Sequence, residues 1–483
     1  MHAVGADRIS LNRLNPPTFP GVRQTTIMPD QFFTAQERPM YIAEASGYLD
    51  PGGGLCDAAG SLVLHWPTRE RVKVIVGHSA HAAIRVYAGG ALVEVPLAAL
   101  RRGTALLRAE ELRARISAHT EAAWAAPVIG CCTELWRMLY RDGAGVELYI
   151  EHALPSGTHA ETATLVVLLE ALCELYETHM TGISLPLVAQ RAMRRVAQRP
   201  LPLTGLLTTY FGKLGKILPV RSQQRRTATR IATPALRTDV RAGEVHEAFE
   251  LPDDTYLVGI VLPDLAVDAA AEPALRTAIS MAYSIVATRQ GADRAALRRA
   301  RQDGRYGDLP YAGFLGTVDY DWMYRDYERL LPATMTGDTF LTTYGPPIDP
   351  FVTVDPVRHY ALRRAGLWPI YTNFQHQQLL DELTRVAAGQ LHGEEWTRTW
   401  GALLNATYAL QTAFDQVPEA VRLLHDFLQH EALDHRLYGL SLGAPHTGLL
   451  TAVVYGEAAL DWLEARVNEF GEAYDLTTRL LLP

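Results

Sequence analysis

The sequence of 483 residues has few cysteines, little net charge and no long uninterrupted apolar run. Four cysteines, two of them adjacent at Cys131 and Cys132, fit reduced core residues better than a disulfide framework or a zinc site. A net charge of -8 gives no reason to expect nucleic acid as a partner. The segment closest to a membrane span, 163–175, is interrupted by Glu170 and Glu174, so we expect no contact with a membrane.

The composition fits a large globular protein. Hydrophobic residues make up 48% of the chain and charged residues 20%, so the chain can bury a substantial core and form two or three domains. The stretch from Met1 to Arg23 lacks the cationic start and apolar core of a signal peptide. We therefore expect a cytoplasmic protein.

Strand-like and helix-like patterns are mixed along the chain, as an α+β protein requires. The predicted strands are 41–49, 61–66, 72–76, 83–87, 92–95, 146–152, 256–262, 436–442 and 449–455. The predicted helices are 109–117, 133–141, 162–178, 185–199, 273–289, 374–388, 395–413 and 418–429.

Two segments are unusually rich in basic or polar residues. The polar segment 221–241 is the predicted hinge between domains, as an exposed excursion or alternatively as a loop that contacts an anion. The predicted helix 185–199 carries arginines at helical spacing. These are Arg191, Arg194, Arg195 and Arg199. A solvated surface is the usual role of such a face, and a binding stripe is the alternative.

The most informative stretch runs from Ala45 to Pro67 and reads ASGYLDPGGGLCDAAGSLVLHWP. After the first predicted strand, Pro51 and the following glycines, which include Gly53 and Gly54, force a tight turn. Asp57 then lies between two strands, where its carboxylate could accept hydrogen bonds from sugar hydroxyls. The alternative is an Asx turn in which the carboxylate satisfies its own backbone.

This stretch resembles the first motif of the galactokinase and arabinokinase branch of the GHMP small-molecule kinases, S-G-R-L-D, then G-G, an Asp and G-S-L-V-L. The matching residues are Ser46, Gly47, Leu49, Asp50, Gly60, Ser61, Leu62, Val63 and Leu64. Asp57 falls where the family places its sugar-binding aspartate. Tyr48 replaces the arginine that the family uses beside the transferred phosphate.

A second match lies far downstream. Tyr344-Gly345, the VTVDP of 352–356 and the PIYTNF of 369–374 resemble the arabinokinase pattern Y-G, V-T-V-I-D-P and H-P-I-Y-E-N-F. Two matches in the same order extend the resemblance over most of 39–482. Tyr371 belongs to this second motif and is a candidate ligand-binding residue.

The resemblance implies an α+β, GHMP-kinase-like fold of two domains. The N-terminal domain would be like ribosomal S5 domain 2, the C-terminal domain ferredoxin-like, and the ligand cleft would lie between them. The expected division is 1–220 for the first domain, 221–245 for a connecting excursion rich in arginine, and 246–483 for the second domain.

The segment of this chain that corresponds to the family's phosphate-binding loop departs furthest from the family pattern. The family reads P-x-G-x-G-x-S-S-S-A, and residues 155–164 here read PSGTHAETAT. The remnant of the nucleotide loop consists of Pro155, Gly157, Thr158 and Thr162. His159 stands at the second glycine, and Glu161 puts negative charge near the phosphate position. An ordinary first-turn residue stabilised by the helix dipole is the alternative role of Glu161.

Two further motifs are also altered. The family's G-x-x-D-Q-x-x-S maps onto 202–209, which puts Gly205 at the catalytic aspartate, and no Asp or Glu occurs between Thr178 and Thr238. The third motif, G-G-G-x-G-G, maps onto 443–448, where Pro445 removes a backbone donor. Its remnant consists of Gly443, Thr447 and Gly448.

These departures predict a sugar-kinase homologue that binds a sugar or sugar-derived metabolite without ordinary phosphoryl transfer, as a pseudokinase or non-catalytic partner. The candidate ligand-binding residues are Tyr48, Asp50, Gly53, Gly54, Asp57 and Tyr371. We expect no metal site and no cofactor, with ATP and magnesium bound only if kinase activity survives. A homo-oligomer and a complex with an active homologue both stay open.

An enzyme repurposed for acid-base chemistry on a sugar-like substrate is the first alternative. His159 and His446 would then face one cleft as acid and base, oriented by Glu161 or Asp50. An active ATP-dependent sugar 1-kinase is the second alternative.

Overall fold

A computed structural model describes most of the chain. The described residues are 32–33, 39–51, 56–117, 120–140, 143–152, 154–155, 157–180, 182–222, 244–263, 265, 274–304, 306–444 and 447–482. Gly53, Gly54, His446 and most of the polar segment 221–241 lie outside these residues.

The described residues form sixteen strands, several of them only two residues long. They are β1 Tyr41–Leu49, β2 Leu62–His78, β3 Ala83–Ala88, β4 Ala91–Pro96, β5 Arg101–Arg102, β6 Ala105–Leu106, β7 Val146–His152, β8 Lys216–Arg221, β9 Glu244–Val245, β10 Phe249–Glu250, β11 Thr255–Val261, β12 Met335–Thr336, β13 His359–Tyr360, β14 Leu437–Leu442, β15 Leu449–Tyr455 and β16 Arg479–Leu481.

Thirteen α-helices occur among the described residues. They are α1 Ala109–Ser117, α2 Ala126–Leu139, α3 Ala160–Leu175, α4 Ser184–Ala192, α5 Leu203–Phe211, α6 Ala274–Arg289, α7 Arg294–Asp303, α8 Tyr320–Leu330, α9 Gly337–Tyr344, α10 Leu362–Ala387, α11 Gly393–Ala413, α12 Glu419–Gln429 and α13 Glu457–Tyr474. Short 3-10 turns cover Leu97–Leu100, Thr120–Ala125, Pro310–Gly313 and Leu315–Thr317, and a π-turn covers Met193–Ala197.

The larger sheet is organised around β2. Its strand order is β10-β8-β2-β7-β3-β4, with β1 also paired to β2 and β9 to β8. The prediction of separate strands over 61–66 and 72–76 is wrong, because β2 runs unbroken through Pro67. Pro67 lies opposite Tyr48, directly after a point where the register shifts by two residues, with residues 68–70 of β2 opposite the single residue 47 of β1. A bulge tolerates the missing backbone N–H of a proline, which explains why Pro67 does not end the strand.

The smaller sheet has the antiparallel order β14-β15-β11-β16. Helices separate β11 from β14 and β15 from β16, so the strands follow the β-α-β-β-α-β sequence of a ferredoxin-like unit, with extra helices inserted in its first crossover. Its apolar face forms a core with α12 and α13, in which Leu424, Leu463 and Phe470 are fully buried.

Two predicted helices differ from the observed ones in an informative way. The helix predicted to begin at 374 begins at Leu362, and Pro369 lies inside it. The helix predicted over 185–199 ends as α4 at Ala192 and continues as the π-turn. The largest core joins residues from both sides of the 221–245 excursion, such as Leu168 and Ile285. The domain division stays a prediction.

Two expectations about the core and the helices can be compared directly with the structure. All four cysteines are free and buried, which confirms their expected role as reduced core residues. Among the described residues, no helix combines the length and the apolar character needed to cross a membrane.

Candidate functional site

The two motifs that carry the family resemblance contact each other. Ser61 Oγ donates to the carbonyl oxygen of Pro369 at 2.8 Å, and Leu62 N donates to Asn373 Oδ1 at 2.9 Å. Residues more than 300 positions apart in the chain therefore build one structure. The Pro369 carbonyl and the Asn373 amide hold the start of β2 against α10.

Asp57 lies in the turn that leads into β2. Gly60 N donates to the Asp57 carbonyl at 2.9 Å, and the positive φ of 82° at Gly60 suits a glycine. The Asp57 side chain is 3% exposed and accepts hydrogen bonds from Thr204 Oγ1 at 2.6 Å and from Ala58 N. Asp57 thus bonds to its own turn and still faces a cavity, so the two roles considered for it are compatible.

The buried position of Asp57 changes its acidity. Burial, followed by the negative charge of Asp50, raises the pKa of Asp57 to about 6. The carboxyl group therefore gains and loses its proton at mildly acidic pH, well above the usual range of an aspartate.

Tyr48 is enclosed between two histidine rings. Its ring centroid lies 4.1 Å from that of His159, with an interplanar angle of 1°, and 4.5 Å from that of His65, with an angle of 26°. Tyr48 is 3% exposed, and its hydroxyl contacts Gly205 so closely that a Cβ there would lie 2.1 Å from the oxygen. Position 48 is thus occupied by an aromatic ring in a closed stack.

Asp50 is the buried carboxylate next to this stack. Its Oδ2 lies 3.8 Å from His65 Nε2, and the residue is 2% exposed. Burial raises the pKa of Asp50, but the nearby His65, together with His159 and His376, outweighs this effect and lowers the pKa. Asp50 therefore remains ionised inside the protein.

Two of the histidines around Asp50, His159 and His376, favour their neutral forms. Burial lowers the pKa of His159 to about 4, although the charge of Asp50 opposes the shift. Burial likewise lowers the pKa of His376 to about 4, and its Nδ1 lies 2.7 Å from the carbonyl oxygen of Leu62. At neutral pH both rings are therefore unprotonated polar groups.

The remnant of the nucleotide loop is held by its own hydrogen bonds. Thr158 N and Oγ1 both donate to the Pro155 carbonyl, at 3.3 and 2.7 Å. Helix α3 begins directly after His159, which has a positive φ of 60° and forms no side-chain cap. Thr162 is 2% exposed and forms a hydrogen bond with Tyr48.

The remnant of the third motif packs against this loop. A Cβ at Gly157 would lie 3.0 Å from Thr447 Oγ1 and 2.8 Å from Leu449 Cβ. Gly443 N donates to the Leu449 carbonyl, and the Gly448 carbonyl accepts from the amide of residue 262. The two loops are therefore neighbours, as the resemblance implies.

Glu161 and Tyr371 have partners of their own. Glu161 Oε1 lies 2.6 Å from Arg199 Nη1. Burial raises the pKa of Glu161, although the positive charge of Arg199 opposes the shift. The ring of Tyr371 packs beside those of Tyr320 and Trp368, at centroid distances of 6.3 and 6.2 Å. Tyr371 does not line the cavity that Asp57 lines.

Two cavities lie near these residues. One, of about 190 Å³, is lined by Asp57, Arg194 and Arg276 with several aromatic side chains. The other is lined by His159, Glu161 and residues of the nucleotide-loop remnant. Leu201 lines both, so the cavities are adjacent, but Asp57 and His159 belong to different ones.

The fit to a metal ion and a nucleotide can be judged from the donor groups. Within the described part of the chain, no cluster of three or more histidine, cysteine, aspartate or glutamate side chains could hold a metal ion. At the start of α3, the place where the family holds phosphates, Glu161 adds a carboxylate that Arg199 neutralises. The ion pair of Glu161 and Arg199 therefore adds no net side-chain charge at the start of α3.

Comparison with solved structures gives the class of fold. Lactococcus lactis galactokinase, solved in complex with galactose, superposes with a TM-score of 0.61 and 13% sequence identity, over 92% of this chain and 93% of that one. This confirms the α+β, GHMP-kinase-like fold that the sequence motifs predict.

Sequence comparison points to the same superfamily. L-arabinokinase of Arabidopsis thaliana is 23% identical over 457 residues, which cover 86% of this chain. The chain spans 43% of the length of that relative. No protein-family model matches the sequence. The similarity to GHMP small-molecule kinases of the galactokinase and arabinokinase type is thereby confirmed.

Several residues of the site were missed by the sequence analysis. Thr204 precedes Gly205 and could have been noticed as a hydroxyl next to the altered base position. His65 and His376 carry no signal of their own, because a single histidine within a strand or helix is usually structural. Their proximity to Asp50 follows only from the packing of β1, β2 and α10.

Proposed function

We propose that this protein is a non-phosphorylating homologue of GHMP sugar kinases that binds a sugar or a sugar-derived metabolite at Asp57. The single observation that carries the proposal is the stack of His65, Tyr48 and His159. A phenol enclosed in this stack carries no positive charge with which to neutralise a transferring phosphate, which is what phosphoryl transfer requires.

The retained ligand site is supported by Asp57 and its cavity. Thr204 and Ala58 N use two of the roughly four lone-pair positions of the carboxylate, which leaves acceptor capacity for ligand hydroxyls. The cavity of about 190 Å³ exceeds the ~150 Å³ cavity that admits benzene, and it is below the ~300 Å³ lower range for drug-sized ligands. A single monosaccharide is the size of ligand that we expect.

Calorimetric titration tests this proposal. Purified full-length protein is titrated with ATP and magnesium and, separately, with free sugars, sugar acids and sugar phosphates. We expect heat of binding from at least one sugar-type ligand, none from ATP and magnesium, and no ADP release in a coupled assay. ATP binding accompanied by sugar-dependent ADP release would overturn the proposal in favour of an active sugar 1-kinase.

Variants locate the binding. Asp57→Asn should weaken sugar binding by about tenfold, the usual effect of losing a hydrogen bond to a charged group. Glu44→Gln is the control, because Glu44 is an acid on β1, away from the cavity lining, whose side chain is 43% exposed and pairs with Arg71. Equal affinities of the two variants would place the ligand elsewhere.

Acid-base chemistry on a sugar-like substrate is a second candidate, favoured by one observation. His159 Nε2 is buried and has no hydrogen-bond partner among the described residues, and its ring lines a cavity with Glu161. A histidine with a pKa of about 4 is a weak base at neutral pH, which is why this candidate ranks second. Sugar turnover detected by NMR and lost in His159→Gln would establish it.

A further inference from the structure

The cavity lined by Asp57 has an uneven distribution of charge on its walls. Three arginines line it: Arg194, Arg199 and Arg276. Arg276 Nε lies 2.7 Å from Asp349 Oδ2, with both side chains less than one-fifth exposed, and Arg199 pairs with Glu161. The charges of these two arginines are therefore balanced by neighbouring carboxylates.

Arg194 differs from the other two arginines. It is half-buried, and it forms no hydrogen bond or ion pair with any residue that the structure describes. Its guanidinium lies against Gly304, where a Cβ would be 2.5 Å from Nη2. Gly304 follows the last residue of α7, and the carbonyl end of a helix offers a cation only a partial negative charge.

The ring and hydroxyl groups of the cavity suit a sugar. Tyr283, Tyr306 and Phe314 contribute aromatic surface, while Asp57 offers acceptors for hydroxyls. A neutral sugar would use these groups and leave Arg194 without a counter-ion. A sugar that also carries an anion would satisfy both Asp57 and Arg194, because a guanidinium binds carboxylate and phosphate oxygens in a forked geometry.

We propose that the ligand of this cavity is a monosaccharide-sized polyol that carries one anionic group, with its hydroxyls on Asp57 and its carboxylate or phosphate on Arg194. The inference rests on the proposed function, since it names the class of ligand that the Asp57 site takes. It also assigns one arginine of the basic helix face to binding, whereas a solvated face is the more usual role.

Titration of the full chain with matched ligands tests the inference. The probes are galactose, galacturonate, galactose 6-phosphate and inorganic phosphate, at one ionic strength because exposed charges are screened by salt. We expect either galacturonate or galactose 6-phosphate to bind at least about tenfold more tightly than galactose, and inorganic phosphate to bind more weakly than both. Which of the two binds more tightly identifies the anionic group.

Two variants separate a binding role from a general charge effect. Arg194→Gln should abolish the preference for the anionic sugar, whereas Arg191→Gln, in the last turn of α4 and outside the cavity lining, should keep it. Far-UV circular dichroism and the unfolding midpoint check that both variants fold. Loss of galactose binding as well in Arg194→Gln, with an unchanged fold, would count against the inference, because Arg194 is assigned to the anionic group alone.

The outcomes distinguish the inference from the proposed function. Equal affinity for galactose and both anionic sugars, unchanged in Arg194→Gln, would overturn the inference and leave a neutral sugar site at Asp57. Inorganic phosphate bound as tightly as the sugar phosphate would overturn it as well, because the hydroxyls would then contribute nothing. Absence of binding by any sugar-type probe would count against the proposed function itself.

Discussion

The contact between Tyr48 and Gly205 can be tested with the substitution Gly205→Ala. It should destabilise the protein if the Tyr48 ring lies against Gly205, and stabilise it otherwise. Gly205 lies in α5, and replacing a helical glycine by alanine usually stabilises a helix by about 1 kcal/mol. Here a Cβ at position 205 would lie 2.1 Å from the Tyr48 hydroxyl oxygen and 3.0 Å from Cζ. Such overlap has to be relieved by moving a ring that is 3% exposed.

The expected change in stability of Gly205→Ala follows from two opposing effects, the gain in helix propensity and the steric overlap with Tyr48. Overpacking a buried site costs about 1–3 kcal/mol, so Gly205→Ala should destabilise the protein by about 1 kcal/mol after the gain in helix propensity. Tyr48→Phe removes the oxygen that causes the closest contact, and it also loses the hydrogen bond to Thr162 at a cost of about 1 kcal/mol. In the Tyr48→Phe background, Gly205→Ala should therefore be neutral or stabilising.

A double-mutant cycle measures this coupling. Urea unfolding of the wild type, the two single variants and the double variant is followed by fluorescence and far-UV circular dichroism, and coincident transitions allow a two-state treatment. We expect an interaction energy of about 1–2 kcal/mol between the two positions. If Gly205→Ala stabilises the wild type by about 1 kcal/mol, Tyr48 does not occupy the space over Gly205, and the main support for the proposed function is lost.

Three further predictions concern pH and the contact between the two motifs. Burial raises the pKa of Asp57 to about 6, so the wild type should lose stability as pH rises from 4 to 7, whereas Asp57→Asn should not. The free energy of unfolding of Asp57→Asn should therefore rise by up to about 3 kcal/mol relative to that of the wild type over this range. Urea unfolding at each pH measures this difference, and a difference that does not change with pH would refute the shift. His376, with its pKa lowered to about 4, contributes stability above pH 6.5 that is lost as pH falls towards 4, and NMR of its imidazole should show the neutral form at pH 5.5. Asn373→Ala should lower the free energy of unfolding by about 1–3 kcal/mol, because Leu62 N loses its hydrogen-bond acceptor. Asn373→Asp keeps an oxygen at that position and should lower it by less. Similar losses in the two variants would contradict the role of Asn373 as acceptor for Leu62 N.

Elements with a clear alternating pattern could be predicted from the sequence. The strands Tyr41–Leu49, Val146–His152 and Leu449–Tyr455 have the predicted limits, because they are bounded by turn residues or by changes of polarity. Two of the errors occur at prolines. Pro67 and Pro369 are usually read as signals that end an element, but a bulge accommodates the first, and α10 continues through the second.

The candidate site was predictable only in part. Sequence motifs indicated Asp57 and the altered loops, because their residue types and order resemble those of a known family. The enclosure of Asp50 by three histidines could not be predicted, since it depends on how β2 and α10 approach each other in space. The charge balance on the cavity wall likewise depends on which arginine has a carboxylate neighbour, and the sequence does not specify this.

The three departures from the kinase motifs that meet in this structure are not independent. Tyr48, His159 and Gly205 come from β1, the nucleotide-loop remnant and α5, and they form one contact set in which the phenol ring stacks on the imidazole and its hydroxyl fills the space that a glycine leaves. An aspartate at position 205 would collide with the Tyr48 hydroxyl, just as the Cβ of alanine would. Counting a lost arginine, a lost base and a lost loop glycine as separate losses therefore overstates the evidence against catalysis. Their mutual fit indicates one packing arrangement around the Tyr48 ring, and an aspartate restored at 205 alone would leave the Tyr48 hydroxyl in its way.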